Sequence, residues 1–163
     1  MTNPDQPSGA EERQFVTLTV GGQLCGIPVL SVRDVLQQQA ITPIPLAPPE
    51  VAGSLNLRGR IVTAIDLRRR LRLSASEAGR PSMSVVTEQG GELYALLVDQ
   101  VAEVVSLKLN AFEQNPPTLP PIWAAFSSGI YRLDTALLVV LNVERILAVQ
   151  ATEARTHAMV DGG

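Results

Sequence analysis

Reactive side chains are scarce in this chain. Its 163 residues hold one cysteine (Cys25), one histidine (His157) and one lysine (Lys108). A lone cysteine excludes an intrachain disulfide and a Cys-based zinc site, and it gives no sign of an oxidising compartment; Cys25 reads as a small buried side chain. His157 sits in a polar C-terminal stretch, so a Ser-His-Asp or Cys-His arrangement has no well-placed base. Asp66, Asp99 and Asp134 are dispersed at expected strand ends and turns, where capping and turn formation account for them better than an oxygen-ligand cage does. No Gly-rich phosphate loop with its lysine occurs. The expectation is a protein that is not an enzyme and that takes neither a cofactor nor a metal.

Other absences narrow the class further. No uncharged run approaches the roughly 20 apolar residues a membrane-spanning helix needs, and the N-terminus lacks a basic region followed by an apolar stretch. The expected location is the cytoplasm, without direct membrane insertion. Aromatics make up only 4% of residues and the net charge is -3, which weighs against nucleic-acid binding even though small barrels often bind single strands. Arg58, Arg60, Arg68, Arg69, Arg70 and Arg72 do crowd one segment and make a local acidic partner plausible. The four from 68 to 72 fall on a short helix-like turn, where a solvated face is the expected reading.

What the chain does have is 45% hydrophobic residues, enough to bury a core in one ordinary domain or in two small ones sharing it. Residues 1–13 and 151–163 are polar and poor in core formers and read as flexible tails flanking a single domain over 14–150. Within it, the most informative stretch is Gly53-Ser-Leu-Asn-Leu-Arg-Gly-Arg-Ile-Val-Thr-Ala-Ile-Asp-Leu-Arg-Arg-Arg-Leu71. Gly53 and Gly59 permit backbone angles closed to other residues and flank a tip, Asn56-Leu57-Arg58, that projects side chains. Ile61 to Ile65 has the pattern of a strand covered on both faces, although so short a run does not by itself exclude a helix.

The domain repeats itself. Val16 to Leu36 aligns with Val85 to Val105, and the matched Gly21-Gly22 and Gly90-Gly91 pairs each join two strand-like runs as a hairpin. Ile61 to Leu71 aligns with Leu137 to Leu147, placing Asp66 over Asn142 directly after an apolar run, where each can cap a short helical turn. Two halves, about 15–80 and 81–150, rich in short strands and Gly/Pro turns, point to a mainly β fold of two small barrels packed together, with exchange of strands between the halves left open. Asn110 to Pro121 contains four prolines and reads as an irregular crossover. Trp123 and Phe126 after it either pin the crossover to the core or serve as aromatic anchors at an interface.

Taken in order, Gly26-Ile-Pro-Val-Leu-Ser-Val-Arg-Asp-Val35, Pro45, Pro48-Pro49, Gly53-Ser-Leu-Asn-Leu-Arg-Gly59, Ile65-Asp-Leu-Arg68, Leu97-Val-Asp99 with Val101, and Leu137 to Leu147 resemble the CheW-like chemotaxis coupling proteins. The landmarks span nearly the whole folded region. The resemblance implies two intertwined five-stranded SH3-like barrels with short helical turns. It also implies a signal-transduction adaptor that links the cytoplasmic tip of methyl-accepting chemotaxis proteins to the C-terminal regulatory domain of the histidine kinase CheA. Such adaptors work in bacterial chemoreceptor arrays at the inner face of the membrane and, where rings form, beside other CheW-like proteins. A same-family adaptor in a non-flagellar pathway, for pilus motility or second-messenger control, is the alternative.

Position by position, the resemblance carries a receptor-binding role onto Arg58 with its neighbours Asn56 and Leu57, onto Asp34 as the acidic partner of Arg58, and onto Val32 lining the same groove between barrels. For the kinase it points to Ile41, Ile44 and Leu46 on one surface and to Leu96, Val98 and Asp99 on another. The chain departs from the family pattern at Ala95, where glycine is common, and at Asn142, where aspartate is.

Overall fold

The computed structural model describes residues 11–37, 39–73 and 83–147. The expected C-terminal tail and His157 lie outside the described residues. The first strand starts at Glu12, so residues 12 and 13 belong to the sheet and not to the expected N-terminal tail.

Ten strands follow one another: β1 (Glu12–Val20), β2 (Gln23–Pro28), β3 (Val32–Gln37), β4 (Val51–Leu57), β5 (Arg60–Asp66), β6 (Met83–Gln89), β7 (Glu92–Val98), β8 (Gln100–Lys108), β9 (Ser127–Arg132) and β10 (Leu137–Leu141). Two short helices, α1 (Leu67–Arg70) and α2 (Pro121–Phe126), interrupt them, and residues 143–147 are helical. The Gly-Gly turns behave as expected: Gly21 and Gly22 at φ 59° and 81°, and Gly90 and Gly91 at 60° and 82°, close the β1–β2 and β6–β7 hairpins. Positive φ at both turn residues matches the twist of the flanking strands.

The strands form two five-stranded sheets, in the orders β8-β1-β2-β10-β9 and β3-β6-β7-β5-β4. Neither sheet is one half of the sequence. Each takes the hairpin of one repeat and the three later strands of the other, so the halves expected at 15–80 and 81–150 are fully exchanged. The cause is the parallel pairing of β5 with β7 and of β10 with β2, which a chain cannot make through a tight turn.

Alternation along the strands explains how two such sheets share one interior. Val85, Leu96 and Ile65 point into the core between the sheets, together with Leu18, Ile27 and Leu141, whereas their neighbours Val86, Leu97 and Ala64 enclose a smaller cluster inside the second sheet. Phe15, Tyr131, Leu138 and Val140 fill the first sheet in the same way. A five-stranded sheet with an apolar cluster on each face is stable only when both are covered, which fits a pair of barrels pressed together. Trp123 and Phe126 are buried in the shared core, which decides for the pinning role over an exposed anchor.

Three local expectations change. Gly53 does not flank the turn; it lies inside β4 at a register shift, with φ at 148°. A Cβ there would run into the Thr42 carbonyl, whose residue bridges Ser54 through two 2.8 Å backbone hydrogen bonds. Glycine is required because the loop before β4 crosses the strand at backbone contact distance. Ile61 is 70% exposed, so β5 is covered on both faces only from Val62 onward.

The arginines after β5 also depart from a uniformly solvated face. Asp66 caps α1 as expected, its Oδ1 accepting from the Arg68 and Arg69 backbone N–H groups, and Asn142 does the same for the Arg145 N–H at 2.9 Å. Arg68 forks onto Asp99 and Arg70 is buried, its guanidinium 4.8 Å from the Phe126 ring centroid and its Nε donating to the Ile146 carbonyl. Only Arg69 and Arg72 remain at the surface.

Candidate functional site

The β4–β5 hairpin ends in a two-residue loop. Leu57 pairs with Arg60, leaving Arg58 and Gly59 at φ 53° and 85°. The Asn56 Oδ1 accepts from the Gly59 N–H at 2.9 Å and holds the turn closed. A non-glycine residue in this conformation carries strain, and here it lifts the arginine clear of the sheet. The Arg58 side chain is 84% exposed and its Nη2 lies 3.6 Å from the Asp34 Oδ2, the pairing that the family resemblance implies.

Asp34 reaches Arg58 because β3 and β4 are the two edges of one sheet that curls until they approach each other, and because the pairing of β3 with β6 shifts register between Val32 and Asp34. Its other oxygen accepts from the Val35 N–H at 2.8 Å. The ion pair overhangs a groove of about 340 Å³ lined by Asp34, Leu57, Arg58, Arg60, Val86 and Leu93 among others. Leu57 is half-buried on the cluster inside the sheet, and Asn56 is exposed but committed to the turn. Val32 does not line this groove; it packs against the core between the sheets and backs the strand.

The groove expected between the barrels is not where Arg58 sits: the Arg58 groove is lined by residues of the second sheet alone. The seam between the sheets holds a second groove of about 350 Å³, lined by Leu30, Ser31, Leu141, Val143 and Glu144 among others. Arg33 and Glu88 border both grooves and pair with each other at 3.4 Å, so the two depressions lie side by side with this pair between them. Leu30, lifted by a 3-10 turn over Val29–Ser31, stands at the seam with 96% of its surface exposed. The sequence reading missed it. A signal existed: the repeat places Leu30 opposite Asp99, an apolar residue where the other half has a carboxylate.

The expected kinase surfaces fare differently. Ile44 and Leu46 are exposed, the latter by 83% at φ 62°, while Ile41 is half-buried; the same loop roofs a cavity of about 720 Å³ floored by Leu55, Met83, Ser84 and Leu97. Leu96 and Val98 are 0% exposed and cannot meet a partner, because β7 is an inner strand between β6 and β5 whose face toward the first sheet is core. Asp99 is bound internally. Its Oδ1 and Oδ2 accept from Arg68 Nε and Nη2, each at 2.7 Å, and Oδ2 also accepts from the Gly21 N–H at 2.8 Å. Partial burial alone would push this carboxyl up, but the Arg68 fork and the Gly21 N–H outweigh it and hold it below the usual aspartate value. The same pairing raises the Arg68 pKa. Burial pushes the Cys25 thiol far up, which leaves it inert. Among the described residues no cluster of His, Cys, Asp and Glu is suited to a metal, and no helix is long and apolar enough to cross a membrane.

A family model described as the CheW-like domain matches residues 14–151. The chain belongs to the CheW-like family. Among CheW-like proteins it is 29% identical over 142 residues to a chemotaxis protein CheW of Treponema pallidum, covering 85% of this chain and 84% of that one. A chemotaxis protein CheW of Helicobacter pylori is 26% identical, covering 87% and 86%. The crystal structure of the scaffolding protein TtCheW from Thermoanaerobacter tengcongensis superposes with a TM-score of 0.73 at 30% identity, over 80% of this chain and 89% of that one. Protein PilI of Pseudomonas aeruginosa is also similar, 24% identical over 83% of this chain and 76% of that protein. The mainly β, double-sheet architecture expected from the resemblance is thus the CheW-like fold.

Proposed function

We propose that this chain is a non-enzymatic chemotaxis adaptor that couples methyl-accepting chemoreceptors to the histidine kinase CheA in cytoplasmic arrays at the inner face of the membrane. The observation that carries the reading is the pair of adjoining grooves that runs from the Arg58–Asp34 pair, past Arg33–Glu88, to the exposed Leu30. An exposed leucine beside paired charges offers a helical hairpin tip an apolar anchor and polar groups that fix its rotation. Arg58 acts at one end as a donor fork held off the surface, Asp34 keeps it in reach, and Asn56 and Leu57 hold the turn.

The kinase regulatory domain is placed on the loop bearing Ile41, Ile44 and Leu46. Ile44 and Leu46 are exposed on this loop, and its Ile41 and Ala47 line a cavity that a partner side chain can enter, a common arrangement for an interface anchor. The partner's own barrels would meet this face, and ring neighbours with the same fold would do likewise. The likeness to protein PilI favours a second reading, a same-family adaptor in a non-flagellar pathway such as pilus motility or second-messenger control. Pull-down of native receptors and kinase from the source cells separates the two.

The direct test is reconstituted kinase activation with receptor, CheA and this chain. Arg58→Ala is expected to lose most receptor-dependent activation while keeping kinase binding and Tm. Full activation by the variant would sink the receptor assignment.

A further inference from the structure

The two repeats are related by a near two-fold whose axis passes close to Arg70 and Ile146. These residues occupy equivalent positions in the aligned segments Ile61–Leu71 and Leu137–Leu147, and they touch each other through the Arg70 Nε–Ile146 carbonyl bond. Around that axis the pairing is repeated in register. Val32 faces Thr87 and Val35 faces Val85 on one side; Val101 faces Leu18 and Val104 faces Val16 on the other, each ladder broken by one bulge in the same place.

Beyond those pairs the two seams between the sheets diverge. On one side the ladder continues to Gln100 and Thr19, the Asp99 N–H donates to the Thr19 carbonyl at 3.0 Å, and the Asp99 carboxylate takes Arg68 and the Gly21 N–H. On the other side the equivalent positions are Leu30 and Glu144. They form no such fork; Leu30 turns outward and both line the open groove. Arg68 and Asp99 follow the neighbouring strands β5 and β7, and Asp99, held by Arg68, reaches across the seam to Gly21 and Thr19 of the first sheet, whereas Leu30 and Glu144 make no such bridge.

We propose that Asp99, gripped by Arg68, clamps one seam between the barrels through Gly21 and Thr19 and thereby holds the opposite seam open for a partner helix. Barrels that rock about a central axis widen one seam as they narrow the other, so the side carrying the stronger fastening sets the gap on the other. Arg68 and Asp99 are positioning residues: they act through the angle between barrels and touch no partner. The inference rests on the reading of the open seam as part of the receptor site, and it explains why an almost symmetric molecule would offer that site on one side alone.

The test measures the gap directly in the full chain. Spin labels on Gln89→Cys and Ser128→Cys, exposed residues on opposite walls of the open seam, report its width by pulsed electron paramagnetic resonance; the buried Cys25 does not compete for label. The native clamp is expected to give one narrow distance distribution. Arg68→Ala, and the milder Asp99→Asn, which keeps an acceptor for the Gly21 N–H, are expected to broaden and shift it. Building the clamp on the other side with Leu30→Asp and Glu144→Arg is expected to shorten the distance.

In unlabelled protein, the affinity for a receptor hairpin fragment is expected to fall about tenfold in both clamp variants, close to 1.4 kcal/mol. An unchanged distance distribution in Arg68→Ala and Asp99→Asn overturns the clamp, whatever the binding. A shifted distance with native affinity overturns its link to the partner. A native chain that does not bind the fragment refutes the receptor reading, and the distances still decide the clamp.

Discussion

Arg58 pairs with Asp34 at 3.6 Å in a mostly solvated setting, so the contact itself contributes under about 1 kcal/mol to the fold. Its backbone works against stability, since φ 53° costs an arginine more than an asparagine or glycine. Arg58→Asn is therefore expected to raise stability by roughly 0.5 kcal/mol in urea unfolding while lowering receptor-dependent kinase activation. A variant both less stable and fully active would contradict the assignment of strain to function. Asp34→Arg sets two cations together and is expected to reduce activation as well, with partial recovery when combined with Arg58→Asp.

At the scale of elements, the glycines of the β4–β5 unit separate into two kinds. Gly59 sits at the hairpin tip with open space around it, so alanine there meets only the unfavourable positive φ, about 1 kcal/mol. Gly53 adds a collision with the Thr42 carbonyl, and Gly53→Ala is expected to cost about 3 kcal/mol and to loosen the loop bearing Ile44 and Leu46. Equal Tm values for the two variants would contradict this. Gly129 stands where the repeat puts Gly53, has φ 155°, and lets Glu113 bridge Ile130 as Thr42 bridges Ser54. That equivalence places Gly53 in the scaffold and leaves the Arg58 turn as the part without a counterpart.

For the whole molecule, the core between the sheets takes side chains from both repeats and holds Trp123. Trp123 fluorescence and far-ultraviolet circular dichroism are expected to report one coincident thermal transition, and two separated transitions would show barrels that fold independently. Acid is expected to open the molecule at the clamped seam. Asp99 has a folded pKa below its unfolded value of about 3.9, so its contribution is complete above that pH and is lost as the pH falls toward the depressed value. Among the described residues the charged groups facing Asp99 here include Arg68 from α1, which stays cationic throughout, and Asp66, which adds a weaker attraction to Arg68. Asp99→Asn is expected to remove this part of the acid dependence, and identical Tm-against-pH curves would refute it.

Local chemistry made much of this protein legible from its residues: the Gly-Gly hairpins, the Asp66 and Asn142 caps, the repeat, the Arg58 turn and its carboxylate partner all follow from short-range conformational preference or from family motifs. Burial of Leu96 and Val98, the outward turn of Leu30 and the fate of the arginines after β5 were not legible. An apolar pentad reads alike whether it is an inner strand or a docking edge, and an arginine reads as solvated until a carboxylate from another strand is brought to it. Sequence by itself determined the two Gly-Gly hairpins, the apolar runs that become β5 and β10 with their caps, and that there are two similar sets of them. Only the tertiary structure decided how the sets are exchanged, which seam is fastened and which stays open, because those outcomes depend on pairings between residues far apart in the chain.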